Sequence, residues 1–159
     1  GLVLVSFLMG LTGVMSTNAQ TVSTFASGFN QAGGIGMDVF GVMYVSNRMD
    51  NKIMKVTATG VVSTFAGSGT YGSADGPAAT AQFAFPGSLT VDTNRNVYVI
   101  DEGNKKIRKI TNAGVVSTVK DFSASGAIPW GILADSGNLF YFHQRELHKI
   151  DSAGTDTLV

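Results

Sequence analysis

The sequence has no cysteine. Disulfide staples, thiolate metal sites and a cysteine nucleophile are therefore excluded together. It has only two histidines, His143 and His148, a single tryptophan, Trp130, and 3 prolines in 159 residues. Charge is scarce as well. The 11 basic and 11 acidic residues cancel, and none of them precedes Asp38. A chain without a basic excess lacks the electrostatic footprint of a nucleic-acid or anionic-membrane binder, so no nucleic-acid partner is expected. At 44% hydrophobic and 14% charged residues, it is too apolar for disorder and too weakly charged for a long solvated helix. What is abundant is glycine, at 20 residues, among many valines, threonines and serines. Without a collagen period, that mixture points to a β protein rich in turns.

Residues 2–15 are almost entirely apolar. The run is shorter than the roughly 20 residues that span a bilayer. Thr17 and Ala19 supply small residues at the −3 and −1 positions of a secretory cleavage site. We expect residues 1–19 to be a signal peptide, Gln20 to be the mature terminus, and the gene's first residues to lie upstream of Gly1. The alternative is a buried apolar strand or helix. Removal of the leader leaves no membrane span and a secreted or periplasmic protein.

Internal repetition sets the architecture. The motif VVSTFAG at 61–67 recurs as VVSTV at 115–119 and, shortened, as TVSTFA at 21–26. Asp38, Tyr44, Ile53, Lys55 and Gly60 recur 54 residues later as Asp92, Tyr98, Ile107, Lys109 and Gly114. A third copy matches Pro129, Asp135 and Tyr141 to Pro86, Asp92 and Tyr98, 43 residues apart, and Ile150 to Ile110, 40 apart. Three residues are thus missing between Gln144 and Glu146. Each copy reads as four short strands divided by turn residues; in the second these are 88–91, 97–100, 106–111 and 115–119. Ile107 and Ile110, like Ile53 and Val56 or Leu147 and Ile150, are three apart, which in a strand places them on opposite faces. A sheet apolar on both faces is packed on both sides, as in a propeller blade. A βαβ arrangement needs an amphipathic helix, for which only 78–85 is a candidate.

The motifs Pro86-Gly87-Ser88-Leu89-Thr90-Val91-Asp92, Asn96-Val97-Tyr98-Val99-Ile100-Asp101, Asn104-Lys105-Lys106-Ile107-Arg108-Lys109-Ile110 and Gly114-Val115-Val116-Ser117-Thr118 resemble the NHL-repeat β-propellers, in particular exported bacterial ones. The linker 66–85 resembles their inter-blade segment. The first copy departs at Ala32 and Asn47, where the family has Pro and Asp. The third has lost the loop with the Asp/Asn pair. The expected fold is all-β: four-stranded antiparallel blades at 33–66, 86–119 and 129–159, with a spare fourth strand at 21–26. Three blades are too few for a ring, which closes with four to eight. We expect an N-terminal portion of a six-bladed propeller, completed by further blades of the same chain or by a second copy.

In this architecture the strand 4-to-1 connections share a face with the strand 2–3 loops. Ligand-contacting candidates there are Trp130, Arg48, Glu102, Lys105, Arg145 and Tyr71, with the Trp130 ring at the channel mouth read either as a stacking platform for a sugar or peptide or as a plug in the gap between blades. Asp38, Asp92 and Asp135 lie at the opposite end, where Asp bonds turn backbone; Asp101 with Asn104 and Asn47 with Asp50 read as loop staples. His143 and His148 do not form the helical zinc motif. The stretch 67–72 lacks the Gly-Lys-Ser/Thr of a phosphate loop and reads as a flexible connection. Lys105–Lys109 reads as a solvated rim, with position 148, aligned to Arg108, exposed. No cofactor or metal is expected, since the strand-one starts, Gly33-Gly34-Ile35, Gly87-Ser88-Leu89 and Trp130-Gly131-Ile132, carry no ligand. The leading expectation is a non-catalytic scaffold for a protein or carbohydrate ligand. The alternative is a metal-dependent lactonase- or lyase-like propeller enzyme with ligands in other blades. RNA binding, known for intracellular members, does not suit neutral charge and export.

Overall fold

The computed structural model describes residues 23–159. The expected leader, its cleavage point, and Thr21 and Val22 lie outside them. The remainder of the expected spare strand, 23–26, is in no sheet. It runs past the strand 3–4 turn of the first blade, where a Cβ on Gly60 would sit 2.7 Å from the Phe25 carbonyl oxygen. The motif TVSTFA therefore resembles a fourth strand without its last four residues acting as one here.

The described residues are all-β, with thirteen strands and no α-helix. Blade 1 is β1 (Ala32–Met37), β2 (Met43–Asn47), β3 (Lys52–Val56) and β4 (Val62–Ala66). Blade 2 is β6 (Pro86–Val91), β7 (Val97–Asp101), β8 (Lys106–Ile110) and β9 (Val115–Asp121). Blade 3 is β10 (Ile132–Asp135), β11 (Asn138–His143), β12 (Glu146–Ile150) and β13 (Asp156–Leu158). Each is an antiparallel sheet in sequence order. Blade 2 gains a fifth strand, β5 (Gly76–Pro77), which pairs with the outer edge of β9. The molecule is a partial β-propeller.

The spacing of three between apolar residues does what strand geometry requires. Ile107 and Ile110 of β8 are both fully buried. Ile110 packs with Tyr44 and Ile53 of blade 1, and Ile107 packs with Leu139, Tyr141 and Ile150 of blade 3. Blade 2 is thus the middle of a stack, wet on neither face.

Close approach between blades explains the glycine-rich β1, AGGIGM. A Cβ on Gly34 would lie 2.8 Å from the Gly87 carbonyl oxygen and 2.9 Å from the Ser88 Cα. One on Gly36 would meet the Leu89 Cδ1 at 2.9 Å. Only hydrogen fits where β1 crosses β6. Ser46 then reaches over to donate to the Gly87 carbonyl at 2.7 Å.

The strand 1–2 turns use their aspartates as expected in two copies of three. Asp38 Oδ1 accepts from the Phe40 and Val42 amides, each at 3.0 Å. Asp92 accepts from the Asn96 amide at 2.8 Å and from Asn96 Nδ2 at 2.7 Å. Asp135 instead accepts only from the neighbouring Ser136 hydroxyl among the described residues. Its hairpin turns on Ser136 and Gly137, at φ 49° and 81°, a two-residue turn that matches strand twist without a side-chain brace.

Candidate functional site

The strand 2–3 loops of blades 1 and 2 and the 67–85 connection meet at one end of the stack, as expected. Each loop opens with a one-turn 3-10 helix, Arg48–Asp50 or Glu102–Asn104. The staples repeat with their chemistry exchanged. In blade 2, Asp101 Oδ1 accepts from the Ala84 amide at 2.7 Å and Oδ2 from Asn104 Nδ2 at 2.7 Å. In blade 1, Asn47 accepts from the Asn30 amide and donates to Asp50 Oδ2 at 2.8 Å. Acid and amide have changed places, and the first copy keeps its staple with Asn47.

Three of the six candidates come together on this face around a residue absent from the expected set, Phe85. Arg48 ion-pairs with Glu102 and lays its guanidinium 5.7 Å from the centre of the Phe85 ring. Tyr71 meets the same ring edge-on at 5.7 Å. Tyr71 is 58% exposed and Phe85 36%. Phe85 sits at φ 51°, a left-handed conformation unusual for a bulky residue, held by the Asn51 side chain accepting from its amide at 3.0 Å. The Pro that follows biases the residue before it toward extended backbone, so nothing in the sequence signalled this conformation.

Trp130 stands on blade 3, 64% exposed, tilted against Phe142 with ring centres 5.9 Å apart. Arg145 is exposed in the two-residue β11–β12 turn, which confirms the shortened third loop. Lys105 closes the 3-10 turn at φ 55°, its amide donating to the Glu102 carbonyl and its carbonyl accepting from the Phe122 amide. Its recognisable role is this backbone one.

The basic rim requires correction at its centre. Arg108 is fully buried, not solvated. Its guanidinium donates to Asp101 Oδ2 at 2.7 Å, to Asp75 Oδ1 at 2.6 and 3.1 Å, and to the Ala74 and Gln82 carbonyls at 3.0 and 3.1 Å, over the Phe83 ring. Burial pushes the Asp101 carboxyl up, against the lowering pull of Asn104, Ala84 and Arg108. Residues 67–85 are accordingly no loose linker. Ala81, Phe83 and Ala84 are fully buried, Asn104 Nδ2 donates to the Gly72 carbonyl at 2.6 Å, and Asp75 also accepts from the Thr118 amide at 3.0 Å. The segment is a strap, clasped by Arg108, across the outer edge of blade 2.

At the aligned position of blade 3, His148 is half-buried rather than exposed. It stacks on Tyr141 at 5.2 Å, with Nδ1 3.5 Å from Asp156 Oδ1 and Nε2 3.4 Å from Glu146 Oε2. His143 contacts the Ser125 hydroxyl at 3.2 Å. Asp156 also accepts from the Tyr141 hydroxyl at 2.7 Å and pairs with Lys120 at 3.0 Å. Burial would raise its carboxyl, but these donors outweigh it and hold it below the usual range. No three His, Asp or Glu side chains are grouped to hold a metal ion among the described residues.

No protein-family model and no curated protein matches the sequence. Solved propeller structures do. Nidogen in its complex with laminin aligns at TM-score 0.63 and 17% identity, over 80% of this chain and 47% of that one. Virginiamycin B lyase from Staphylococcus aureus aligns at 0.60 and 13%, over 82% and 41%. A gluconolactonase from Xanthomonas campestris aligns at 0.60 and 11%, over 83% and 48%. At such identities the likeness establishes the β-propeller fold alone. The chain spans less than half the length of these structures.

Proposed function

We propose that this chain is part of an exported, non-catalytic propeller scaffold of the NHL-repeat type that binds a protein or glycan ligand on its loop face. The observation that carries this reading is the assembly of Tyr71, Phe85, Arg48 and Glu102 on one exposed spot. Two aromatic faces beside a paired guanidinium and carboxylate offer stacking and bidentate hydrogen bonding together, the combination that recognises sugar rings and peptide segments. Trp130 with Phe142 supplies a second aromatic platform. Export rests on the apolar 2–15 run and the small residues Thr17 and Ala19. It places the protein outside the cytoplasm, in the periplasm or medium.

Two measurements test the reading. The protein recovered outside the cytoplasm should begin at Gln20; intact cytoplasmic protein retaining residues 2–19 would overturn export. Probed against immobilised oligosaccharides and cell-surface proteins, the chain should bind a member of one panel, and Tyr71→Ala should weaken that binding about tenfold, or ~1.4 kcal/mol. Metal-dependent turnover of a lactone, indifferent to Tyr71→Ala, would replace this reading with the lactonase or lyase one.

A further inference from the structure

Blade 2 meets blade 1 on one side and blade 3 on the other. Toward the strand 1–2 and strand 3–4 turns, the repeat lets the two junctions be compared position by position. Asp92, Tyr98 and Lys109 border the junction with blade 3. Asp38, Tyr44 and Lys55 hold the same places 54 residues earlier. Three other bordering positions differ. Blade 2 has Asn94, Asn96 and Val119 where blade 1 has Phe40, Val42 and Phe65. Each change puts a smaller or more polar side chain in blade 2.

The two tyrosines show the consequence. Phe65 meets Tyr44 edge-on at 4.8 Å, and Tyr44 is 2% exposed. Val42 packs against the same core. Arg95 reaches across from blade 2 and lays its guanidinium 5.4 Å from the centre of the Phe40 ring. The junction of blades 1 and 2 is thus filled by the chain's own side chains. At the junction of blades 2 and 3, Val119 is too short to cover Tyr98 as Phe65 covers Tyr44, and Tyr98 stays half-buried. Gly137, which precedes Asn138 as Arg95 precedes Asn96, sends no side chain across. A cleft of about 310 Å³ remains, at the small end of the roughly 300–1,000 Å³ of ligand pockets. Both walls belong to blades whose four strands are all described, so the cleft is internal to the stack.

We propose that this cleft binds a neutral pyranose ring. Leu139 and Ile150 are buried and, with Val119, form an apolar floor for the C–H face of the ring. Around the floor stand the Asn94 and Asn138 amides, the Ser152 hydroxyl, the Lys109 ammonium and the Asp92 and Asp151 carboxylates. Asp151 braces its own turn through Oδ1, which accepts from the Ala153 and Thr155 amides at 2.9 and 2.8 Å, and Oδ2 is left to accept from a ligand. Amides donate and accept, carboxylates only accept and an ammonium only donates, so a ligand that suits them all must do both at several points, as hydroxyl groups do. Two carboxylates against one ammonium give an anion no advantage. The ring takes the place that Phe65 fills between blades 1 and 2. The site lies at the opposite end of the stack from the Arg48, Tyr71 and Phe85 spot and does not rest on the reading given to that face.

The full chain, titrated with glucose, galactose, mannose and N-acetylglucosamine, should bind at least one at millimolar concentration, with amide resonances of residues 94–96 and 137–139 shifting. The free sugar and its methyl glycoside, titrated side by side, tell a free sugar from the end residue of a glycan. Val119→Phe, which installs the blade 1 residue, should abolish binding while β circular dichroism is retained. Asn94→Ala, at an exposed position, should weaken it about tenfold through lost hydrogen bonds. Failure of every neutral sugar to bind, or binding unchanged in a folded Val119→Phe or in Asn94→Ala, would overturn the proposal. So would a glucuronate that binds about tenfold tighter than glucose. Resonance shifts confined to residues 48, 71 and 85 would move the sugar to the loop face and overturn it as well.

Discussion

Arg108 of β8 and Asp101 of β7 meet diagonally across the two strands at 2.7 Å, both with fully buried side chains. Fifty-four residues earlier, the same two positions hold Met54 and Asn47. The repeat has therefore changed both partners together, ionic in blade 2 and uncharged in blade 1.

Breaking a buried pair costs more than replacing it, because the survivor is left charged without a partner. Arg108→Met should destabilise the protein by about 3–5 kcal/mol, seen as a fall in the urea midpoint. Adding Asp101→Asn, which installs the blade 1 pair, should recover part of that loss. A double variant less stable than Arg108→Met would refute the argument.

Gly34 is held to hydrogen by the backbone of β6, not by a flexible side chain. Gly34→Ala should push blade 1 off blade 2 and cost about 1–3 kcal/mol, the range for overpacking. The φ of Gly34 is not positive, so the effect is steric alone. An unchanged thermal midpoint would show that the two strands can separate freely.

Asp156 carries a pH dependence. Its carboxyl is held low in the folded state by Tyr141 and Lys120 against the effect of burial. The native state thus binds fewer protons there than the unfolded chain. Its contribution is complete above the ordinary carboxylate value, ~4, and is lost as pH falls through the lower native one. The stability gap between the parent and Asp156→Asn should be largest near neutrality and shrink toward pH 2. A gap constant with pH would remove the electrostatic account.

Asp92 braces a turn. Its carboxylate accepts from the Asn96 amide and side chain and lies 3.4 Å from the Tyr98 hydroxyl. Asp92→Ala should cost about 1–3 kcal/mol. Elemental analysis of the full chain should find no stoichiometric calcium or zinc. One metal ion per chain, lost in Asp92→Ala, would mean that the aspartate is a ligand.

The sheet pattern was legible because it rests on local, periodic signals: Asp, Gly and Asn at turns, and apolar residues three apart as at Ile107 and Ile110. The staples were legible because Asp101 and Asn104 are neighbours in sequence. What periodicity could not show is contact between distant residues. Arg108 reads as surface beside Lys106 and Lys109, and only folding of Asp75 and Phe83 over it makes it core. Phe85 was missed for a like reason, since its neighbours Arg48 and Tyr71 come from a preceding loop and from the strap. The Asp135 turn departed because Gly137 permits a tighter hairpin than its alignment with Asp92 suggested.

The strap moves the boundary of the heritable unit. By sequence, the second repeat opens at Pro86, but the outer edge of its sheet is sealed by Gly76 and Pro77, and its buried arginine is neutralised by Asp75. A graft cut at Pro86 would carry away an unpaired strand and an Arg108 that keeps Asp101 but has lost Asp75 and the Ala74 and Gln82 carbonyls. Cut between Ala66 and Gly67, the piece brings its own edge cover and counter-ion with it. Recombination, in the laboratory or in a genome, therefore has its tolerant junction about twenty residues upstream of where the repeat motif begins, and blade swapping should be planned around that joint.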